Sequence, residues 1–257
     1  MKNGKRAAWV FGAIAIVAAF PAFAGEPATI DRHALWNIIN LKCLRHLTKS
    51  EAPIPCDRVD VSAGWDRGLA LLKDRVGRGR MLAIPTSFMT GIEDPSVLSP
   101  DQPNFFAAAW AARDSMNWRL RRNLPAESVA ITVDSKPRRD QDVLNFAIDC
   151  LDKGVAASLA ANAASIDDRW SRMSVALKGR TYWARRLDSQ TLSPSPFQLL
   201  ADGVEGAKND MGAWSLAVTQ VNVSGNVRLI LLADRAEGSA GGRASDLQDP
   251  ACAIATP

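Results

Sequence analysis

The side chains best placed for chemistry in this sequence lie at alternate positions within residues 141–150. If this stretch is an extended strand, Val143, Asn145, Ala147 and Asp149 share one of its faces, because side chains alternate with a period of two. An amide on such a face can hydrogen-bond a ligand, and a carboxylate can also accept a proton. The opposite face carries only large apolar side chains and is predicted to be buried in the core: Leu144, Phe146 and Ile148.

The stretch is predicted to form the second strand of a β-hairpin. The first strand is Ser128–Val133, which is rich in β-branched residues, and the charged turn between the two is Asp134–Asp140. Basic side chains in this turn could bind a diphosphate through paired hydrogen bonds, with a solvent-exposed charged turn as the alternative. A second basic pair, Arg185 and Arg186, could act in the same way. The predicted ligand-binding residues are Lys136, Arg138, Arg139, Asn145 and Asp149.

Carboxylates near the strand offer a different chemistry. Asp140, Asp142 and Asp149 could hold a divalent metal that activates water, or one of them could act as a general base. Aspartates at strand ends also hydrogen-bond turns, which is the structural alternative. Since their spacing matches no metal-ligand pattern, neither a metal site nor a cofactor is predicted.

The stretch and its wider context resemble the periplasmic CDP-diacylglycerol pyrophosphatase family, a branch of the histidine-triad (HIT-like) hydrolases. The resemblance covers nearly the whole chain after its first residues. It is carried by short stretches that follow one another in the family's order: Ala83–Thr86, Gly91–Glu93, Pro103–Phe106 with Trp110, Arg169–Trp170, Tyr182 with Ala184–Arg186, and Ser195–Phe197.

The resemblance implies a reaction of phospholipid metabolism, in which CDP-diacylglycerol and water give CMP and phosphatidate. The family's matching strand resembles Gln-x-His-x-His, a variant of the superfamily's three alternating histidines, one of which attacks a phosphorus atom. The corresponding residues here are Val143, Asn145 and Ala147. They cannot replace imidazole, which is an unprotonated nucleophile near neutral pH. No catalytic residue is therefore predicted, and neither His33 nor His46, both in a predicted N-terminal helix, is expected to substitute.

Three functions remain open on the sequence. The chain could be a CDP-diacylglycerol pyrophosphatase that has kept some activity, a non-catalytic periplasmic protein that binds a nucleotide or phosphate, or a partner-binding pseudoenzyme with a closed pocket. The expected partners are CDP-diacylglycerol or another nucleotide diphosphate, and a membrane surface. Nucleic acid is not expected, because without Lys2, Lys5 and Arg6 the formal charge falls from +4 to +1.

Residues 1–24 have the three parts of a secretory signal peptide: a basic start, an apolar run at Ala7–Phe20, and a small-residue cleavage pattern at Ala22–Ala24. The apolar run is also near the length of a membrane span, so an uncleaved membrane anchor is the alternative. In either case we predict a periplasmic chain, free or anchored to the inner membrane. Residues 25–257 are predicted to form a single HIT-like domain.

Four cysteines follow the export segment: Cys43, Cys56, Cys150 and Cys252. An even number in an oxidising compartment predicts two disulfides, for which three pairings are possible. Proximity in the sequence favours Cys43–Cys56, which leaves Cys150–Cys252. A zinc site is the rival interpretation, but the sequence contains no CxxC pair and the two histidines complete no ligand pattern.

Predicted strands occur as hairpins with helices between them, which indicates an α+β fold with a mostly antiparallel sheet and helices packed on it. Helices are predicted near residues 30–47, 104–124, 155–166 and 196–207. Further strands are predicted near residues 65–73, 80–85, 181–187, 214–221 and 227–233. The Gly/Ser/Asp-rich residues 238–249 are predicted to form a mobile loop.

Overall fold

A computed structural model of the protein describes residues 31–49, 51–188, 191–223 and 225–255. The chain from Asp31 onward forms one compact unit. The predicted signal segment, residues 1–24, lies outside the described residues, so its cleavage or retention stays a prediction. Among the described residues, no helix combines the length and the apolar character of a membrane span.

Nine strands of the described chain form one sheet, and every pairing in it is antiparallel. They are β1 (Arg58–Asp60), β2 (Leu69–Lys73), β3 (Met81–Pro85), β4 (Val129–Val133), β5 (Phe146–Cys150), β6 (Ser171–Arg172), β7 (Trp183–Leu187), β8 (Trp214–Val223) and β9 (Asn226–Arg235). Their order across the sheet is β1-β2-β3-β5-β4-β8-β9-β7-β6. The predicted α+β class with a mostly antiparallel sheet is confirmed.

Short helices pack on the sheet and connect its strands. The α-helices are α1 (Ala34–Ile38), α2 (Leu44–Thr48), α3 (Phe105–Ala111), α4 (Ser115–Leu120), α5 (Lys153–Asn162) and α6 (Pro196–Gly203). A π-helical turn, Ile39–Cys43, joins α1 to α2. Single 3₁₀ turns lie at Pro95–Leu98, Ala126–Ser128, Ala163–Ser165, Ala207–Asn209, Met211–Ala213, Ala244–Leu247 and Ala253–Ala255.

The helix predicted over residues 104–124 is wrong in its length, because the chain turns between α3 and α4. The guanidinium Nη1 of Arg113 donates to the carbonyl oxygen of Trp110 at 2.8 Å. Arg113 also stacks over the Trp110 ring, with its Cζ 4.8 Å from the ring centroid. That carbonyl is one that a continuous α-helix would use for the backbone N–H four residues on, so the side chain competes with helix continuation.

The predicted β-hairpin forms, with β4 and β5 in antiparallel register. The prediction that its second strand starts at Gln141 is wrong, since β5 starts at Phe146. Residues before it are bonded to other segments of the chain. The backbone N–H of Asp142 donates to the carbonyl of Arg32, and that of Leu144 to the carbonyl of Met89.

The two faces of the sheet are covered differently. One face carries the largest core cluster, in which Leu144, Phe146 and Ile148 are fully buried, as predicted. The Phe146 ring lies 4.9 Å from the Phe106 ring, centroid to centroid. The other face carries two smaller clusters, one beneath the N-terminal helices and one beneath α5.

Both predicted disulfides are present. Cys43–Cys56 joins the π-helical turn to the residues before β1, and Cys150–Cys252 joins the end of β5 to the C-terminal residues. The zinc interpretation is therefore wrong, because the four cysteines form two disulfides and have no free thiol to act as a metal ligand.

Removing the Phe146 ring is expected to destabilise the fold strongly. Phe146→Ala leaves a cavity between Phe106 and Phe197, so the free energy of unfolding should fall by about 3–5 kcal/mol in urea denaturation. Phe88→Ala, at a ring that is 45% exposed, is the matched control and should change it by less than about 1 kcal/mol. Equal effects of the two substitutions would contradict this view of the core.

Candidate functional site

A cavity of about 280 Å³ opens on the sheet face that carries Ala147. Its floor is formed by three neighbouring strands, through Leu82 of β3, Ala147 of β5 and Thr132 of β4. These residues lie between the cluster beneath the N-terminal helices and the cluster beneath α5. Leu35 and Arg243, which come from opposite ends of the described chain, also line the cavity.

Three of the four alternate positions singled out in the sequence line this cavity: Val143, Asn145 and Ala147. Val143 is 1% exposed and also packs in the cluster beneath the N-terminal helices. Asn145 is half-buried, and its Nδ2 donates to the carbonyl oxygen of Val143 at 3.0 Å. Together with Ala147, these residues give the cavity an amide and two hydrocarbon side chains. None of the three can act as a nucleophile or transfer a proton.

Two guanidinium groups in the cavity lining are held closely by carboxylates. Arg139 is 8% exposed; its Nη1 donates to Glu93 Oε1 at 2.7 Å and its Nη2 to Asp142 Oδ1 at 2.9 Å. Arg80 has its Nε 3.0 Å from Asp74 Oδ2. An anionic ligand would have to displace a carboxylate before Arg139 could bind it fully, whereas the Arg80 Nε, although close to Asp74, makes no hydrogen bond.

A third guanidinium group in the lining, that of Arg243, is held loosely. Its nitrogens lie 3.8 Å from Asp134 Oδ2, 3.5 Å from Asp140 Oδ2 and 3.8 Å from Asp246 Oδ1. These distances exceed the usual 2.7–3.2 Å of an N–H···O bond, and the side chain is 35% exposed. Its Nε also lies 3.3 Å from Ser245 Oγ. Arg243 can therefore turn toward a ligand anion with a smaller loss of hydrogen bonding than Arg139, whose guanidinium is bonded to two carboxylates.

The structure places only two of the five predicted ligand-binding residues, Arg139 and Asn145, in the cavity lining. Lys136 is exposed, and Arg138 donates its Nη1 to the carbonyl of Ser239. The second basic pair, Arg185 and Arg186, lies on β7 and does not line this cavity. The histidines of the N-terminal helical segment, His33 and His46, do not line it either.

Asp149, the fifth predicted residue, is fully buried and does not line the cavity. Its Oδ1 accepts a hydrogen bond from the backbone N–H of Cys150 at 2.8 Å, whereas its Oδ2 has no hydrogen-bond partner. Arg80 Nη1 lies 4.0 Å from that Oδ2. Burial raises the pKa of Asp149 to about 6, since this cation compensates for the lost hydration only in part.

The remaining carboxylates near the site are held by neighbouring groups. Hydrogen bonds from Arg32 hold the pKa of Asp142 well below its usual range, so it is a poor base. Burial raises the pKa of Asp134, whose carboxylate accepts hydrogen bonds from the backbone N–H and the Oγ of Ser245 at 2.9 and 2.6 Å. Within the described ranges, no cluster of three or more His, Cys, Asp or Glu side chains could hold a metal ion.

Comparison with known proteins agrees with the resemblance seen in the sequence. The family model described as CDP-diacylglycerol pyrophosphatase matches residues 30–256. The chain belongs to this family. It is also 39% identical over 224 residues to a protein of Yersinia pestis named CDP-diacylglycerol pyrophosphatase, covering 86% of this chain and 84% of that relative.

In this member of the CDP-diacylglycerol pyrophosphatase family, the titration of Asp149 should lower the free energy of unfolding as pH rises from about 4 to 6. In that interval the folded chain keeps a proton on Asp149 that the unfolded chain releases. The loss should be roughly 2–3 kcal/mol. Asp149→Asn carries no charge at any pH, so this part of the pH dependence should disappear.

The measurement is urea unfolding at several pH values between 4 and 7.5. Asp66→Asn, at an exposed loop carboxylate, is the control and should keep the wild-type pH dependence. If the free energy of unfolding of the Asp149→Asn variant varies with pH in the same way as that of the wild type, the raised pKa of Asp149 is contradicted.

Proposed function

We propose that this chain binds the cytidine diphosphate headgroup of a lipid such as CDP-diacylglycerol, and that it lacks the family's histidine-dependent hydrolysis. The observation that carries the proposal is the cavity lined by Val143, Asn145 and Ala147, which remains open although none of the three is a histidine. The family name and the name of the Yersinia pestis relative supply the ligand class.

The size of the cavity supports a headgroup ligand. About 280 Å³ lies at the lower end of the ~300–1,000 Å³ typical of small-molecule pockets. A diphosphate with part of its nucleoside fits such a volume, whereas two acyl chains do not. The diacylglycerol part of the ligand would therefore stay outside the cavity.

The chemistry of the lining supports an anionic ligand. Arg243 is partly exposed and loosely held, so it is the guanidinium that we assign to a phosphate group. Arg80 and Arg139 line the same cavity, and so do Asp74, Asp134 and Asp140, so the support for a phosphate comes from the accessible guanidinium of Arg243 and not from a net positive charge. The amide of Asn145 offers a neutral hydrogen-bonding group on the floor, where the family pattern has a histidine.

The carboxylate alternatives for hydrolysis have less support. Asp142 is bonded to Arg32 and Arg139, and Asp149 is buried outside the lining. Asp140 lines the cavity, but its side chain is 67% exposed, so water competes for any hydrogen bond that it could make to a ligand. None of these groups replaces an imidazole nucleophile.

We also propose that the protein functions in the periplasm, either free or anchored at the inner membrane. The basic start and apolar run of residues 1–24 have the form of a secretory signal. The two disulfides of the described chain suit an oxidising compartment. Retention of the N-terminal segment would anchor the chain to that membrane.

CDP is expected to bind the unmodified protein in isothermal titration calorimetry, and Arg243→Gln is expected to weaken that binding. The lost charge-assisted contact should raise the dissociation constant about tenfold or more. The matched control is Arg235→Gln, at a 49% exposed guanidinium that does not line the cavity. An unmodified protein that does not bind CDP, or an Arg243→Gln variant with unchanged affinity, would refute the proposed site.

Restoring imidazoles should restore hydrolysis. In the double variant Asn145→His, Ala147→His, both new side chains face the cavity, and one of them can attack phosphorus. CMP release from CDP-diacylglycerol should rise at least tenfold above that of the control variant Asn145→Gln, Ala147→Gln. If the histidine variant folds, binds CDP and releases no CMP, then more than these side chains has been lost.

A further inference from the structure

We propose that the outer face of the N-terminal helical segment, Ala34–Thr48 with Lys49, binds an anionic lipid bilayer and so presents the cavity to the membrane. The inference extends the proposed function, because it concerns how a lipid-linked headgroup reaches that cavity. It does not depend on the apolar segment that precedes Asp31.

The charge of this face fits an anionic surface. Lys42, Arg45 and Lys49 are all exposed, and their spacing of three and four residues places them on one side of a helix. Residues 34–49 contain no Asp or Glu. No carboxylate elsewhere in the described chain lies within 4.0 Å of these three cations. Unpaired clusters of this kind are attracted to anionic lipid headgroups.

Exposed apolar side chains accompany these charges. Leu41 is 50% exposed and lies one helical turn before Arg45. Phe88 is 45% exposed and stacks edge-on against Trp36, with ring centroids 5.3 Å apart. Single exposed apolar residues are ordinary, but aromatic and basic residues together are typical of surfaces at the membrane–water interface.

The same segment forms part of the cavity. Leu35, in α1, lines it, and the Leu35 backbone N–H donates to Oε1 of Gln141, another lining residue, at 2.8 Å. The disulfide Cys43–Cys56 fixes the middle of the segment, at the end of its π-helical turn, to the residues before β1. A bilayer bound to the outer face would therefore be separated from the cavity by this one segment, about 10–12 Å thick, and the acyl chains of a bound ligand could remain in lipid.

A second exposed aromatic patch is less suited to this role. Trp118 is 72% exposed, but Arg119 stacks over its ring at 4.4 Å and is also paired with Asp57. The charge of Arg119 is thereby compensated, whereas the exposed Arg121 and Arg122 beside it form no ion pair within the described chain. The patch is less suited because neither Trp118 nor these arginines line the cavity. This patch serves as the rival surface in the test.

The test measures binding of a chain that begins at Asp31, which contains the whole compact unit, to sedimented vesicles. The vesicles are phosphatidylcholine alone, or phosphatidylcholine mixed with phosphatidylglycerol, and contain no cytidine lipid. Binding is expected only to the mixed vesicles and should weaken with added salt. The triple variant Lys42→Glu, Arg45→Glu, Lys49→Glu should lower the partition coefficient about a hundredfold.

Controls separate this face from general charge and from the rival patch. The triple variant Lys153→Glu, Arg169→Glu, Lys208→Glu changes three other exposed cations by the same total charge and should bind nearly as well as the unmodified chain. Trp118→Ser should also bind normally. The proposal is overturned if the unmodified chain does not bind anionic vesicles. It is also overturned if both triple variants lose vesicle binding equally, or if Trp118→Ser is the only variant that loses vesicle binding.

Failure of this inference and failure of the proposed function can be told apart. CDP titration in solution involves no vesicles, so the Lys42, Arg45 and Lys49 variant should keep full CDP affinity. Loss of CDP affinity in that triple variant would mean that the substitutions disturb the cavity. In that case the double variant Leu41→Ser, Phe88→Ser takes its place in the vesicle experiment. Weaker vesicle binding by this second variant, with CDP affinity kept, is the expected result; unchanged vesicle binding would contradict the proposal.

Discussion

Strand β5 is hydrogen-bonded on both sides, to β3 and to β4, and this double pairing determines what the protein can present to a ligand. Ala147 lies opposite Leu82 on one side and Thr132 on the other. Because side chains alternate along a strand, the pairing that buries Phe146 and Ile148 in the core also directs Ala147 to the other face. Chemistry on this face is limited to whatever the sequence places at these few positions.

Two distant parts of the chain turn this sheet face into a cavity. The N-terminal segment contributes Leu35, and the C-terminal segment contributes Arg243. Gln248 fixes the C-terminal segment to β4 and β5, because its Nε2 donates to the carbonyls of Ala130 and Ala147 at 2.8 and 2.9 Å. The cavity therefore has structural support that does not depend on histidine. Its presence in a chain with valine, asparagine and alanine at positions 143, 145 and 147 is therefore physically reasonable.

The sequence predicted those features that depend on local pattern. Alternation identified the buried face of β5, and the even number and the spacing of the cysteines predicted both disulfides. The overall class followed from hairpins with helices between them. The start of β5 was not predictable, because Gln141 and Asp142 are bonded to residues more than a hundred positions away.

The charged residues of the site were harder to predict for the same reason. Lys136 and Arg138 are close to the strand in sequence, yet neither lines the cavity. Arg243 lies in a Gly/Ser/Asp-rich stretch predicted to be a mobile loop, although Ala244 and Leu247 beside it are fully buried. Only the folded chain shows that this stretch packs against β4 through Asp134 and Gln248.

The most direct test of the account is CMP release from CDP-diacylglycerol in detergent micelles by the unmodified, purified chain. No release above the blank is expected at protein concentrations that bind CDP, because Val143, Asn145 and Ala147 offer the cavity only an amide and two hydrocarbon side chains. Release above the blank that falls in the Arg243→Gln variant would come from this cavity rather than from a contaminating enzyme. That result would contradict the central claim.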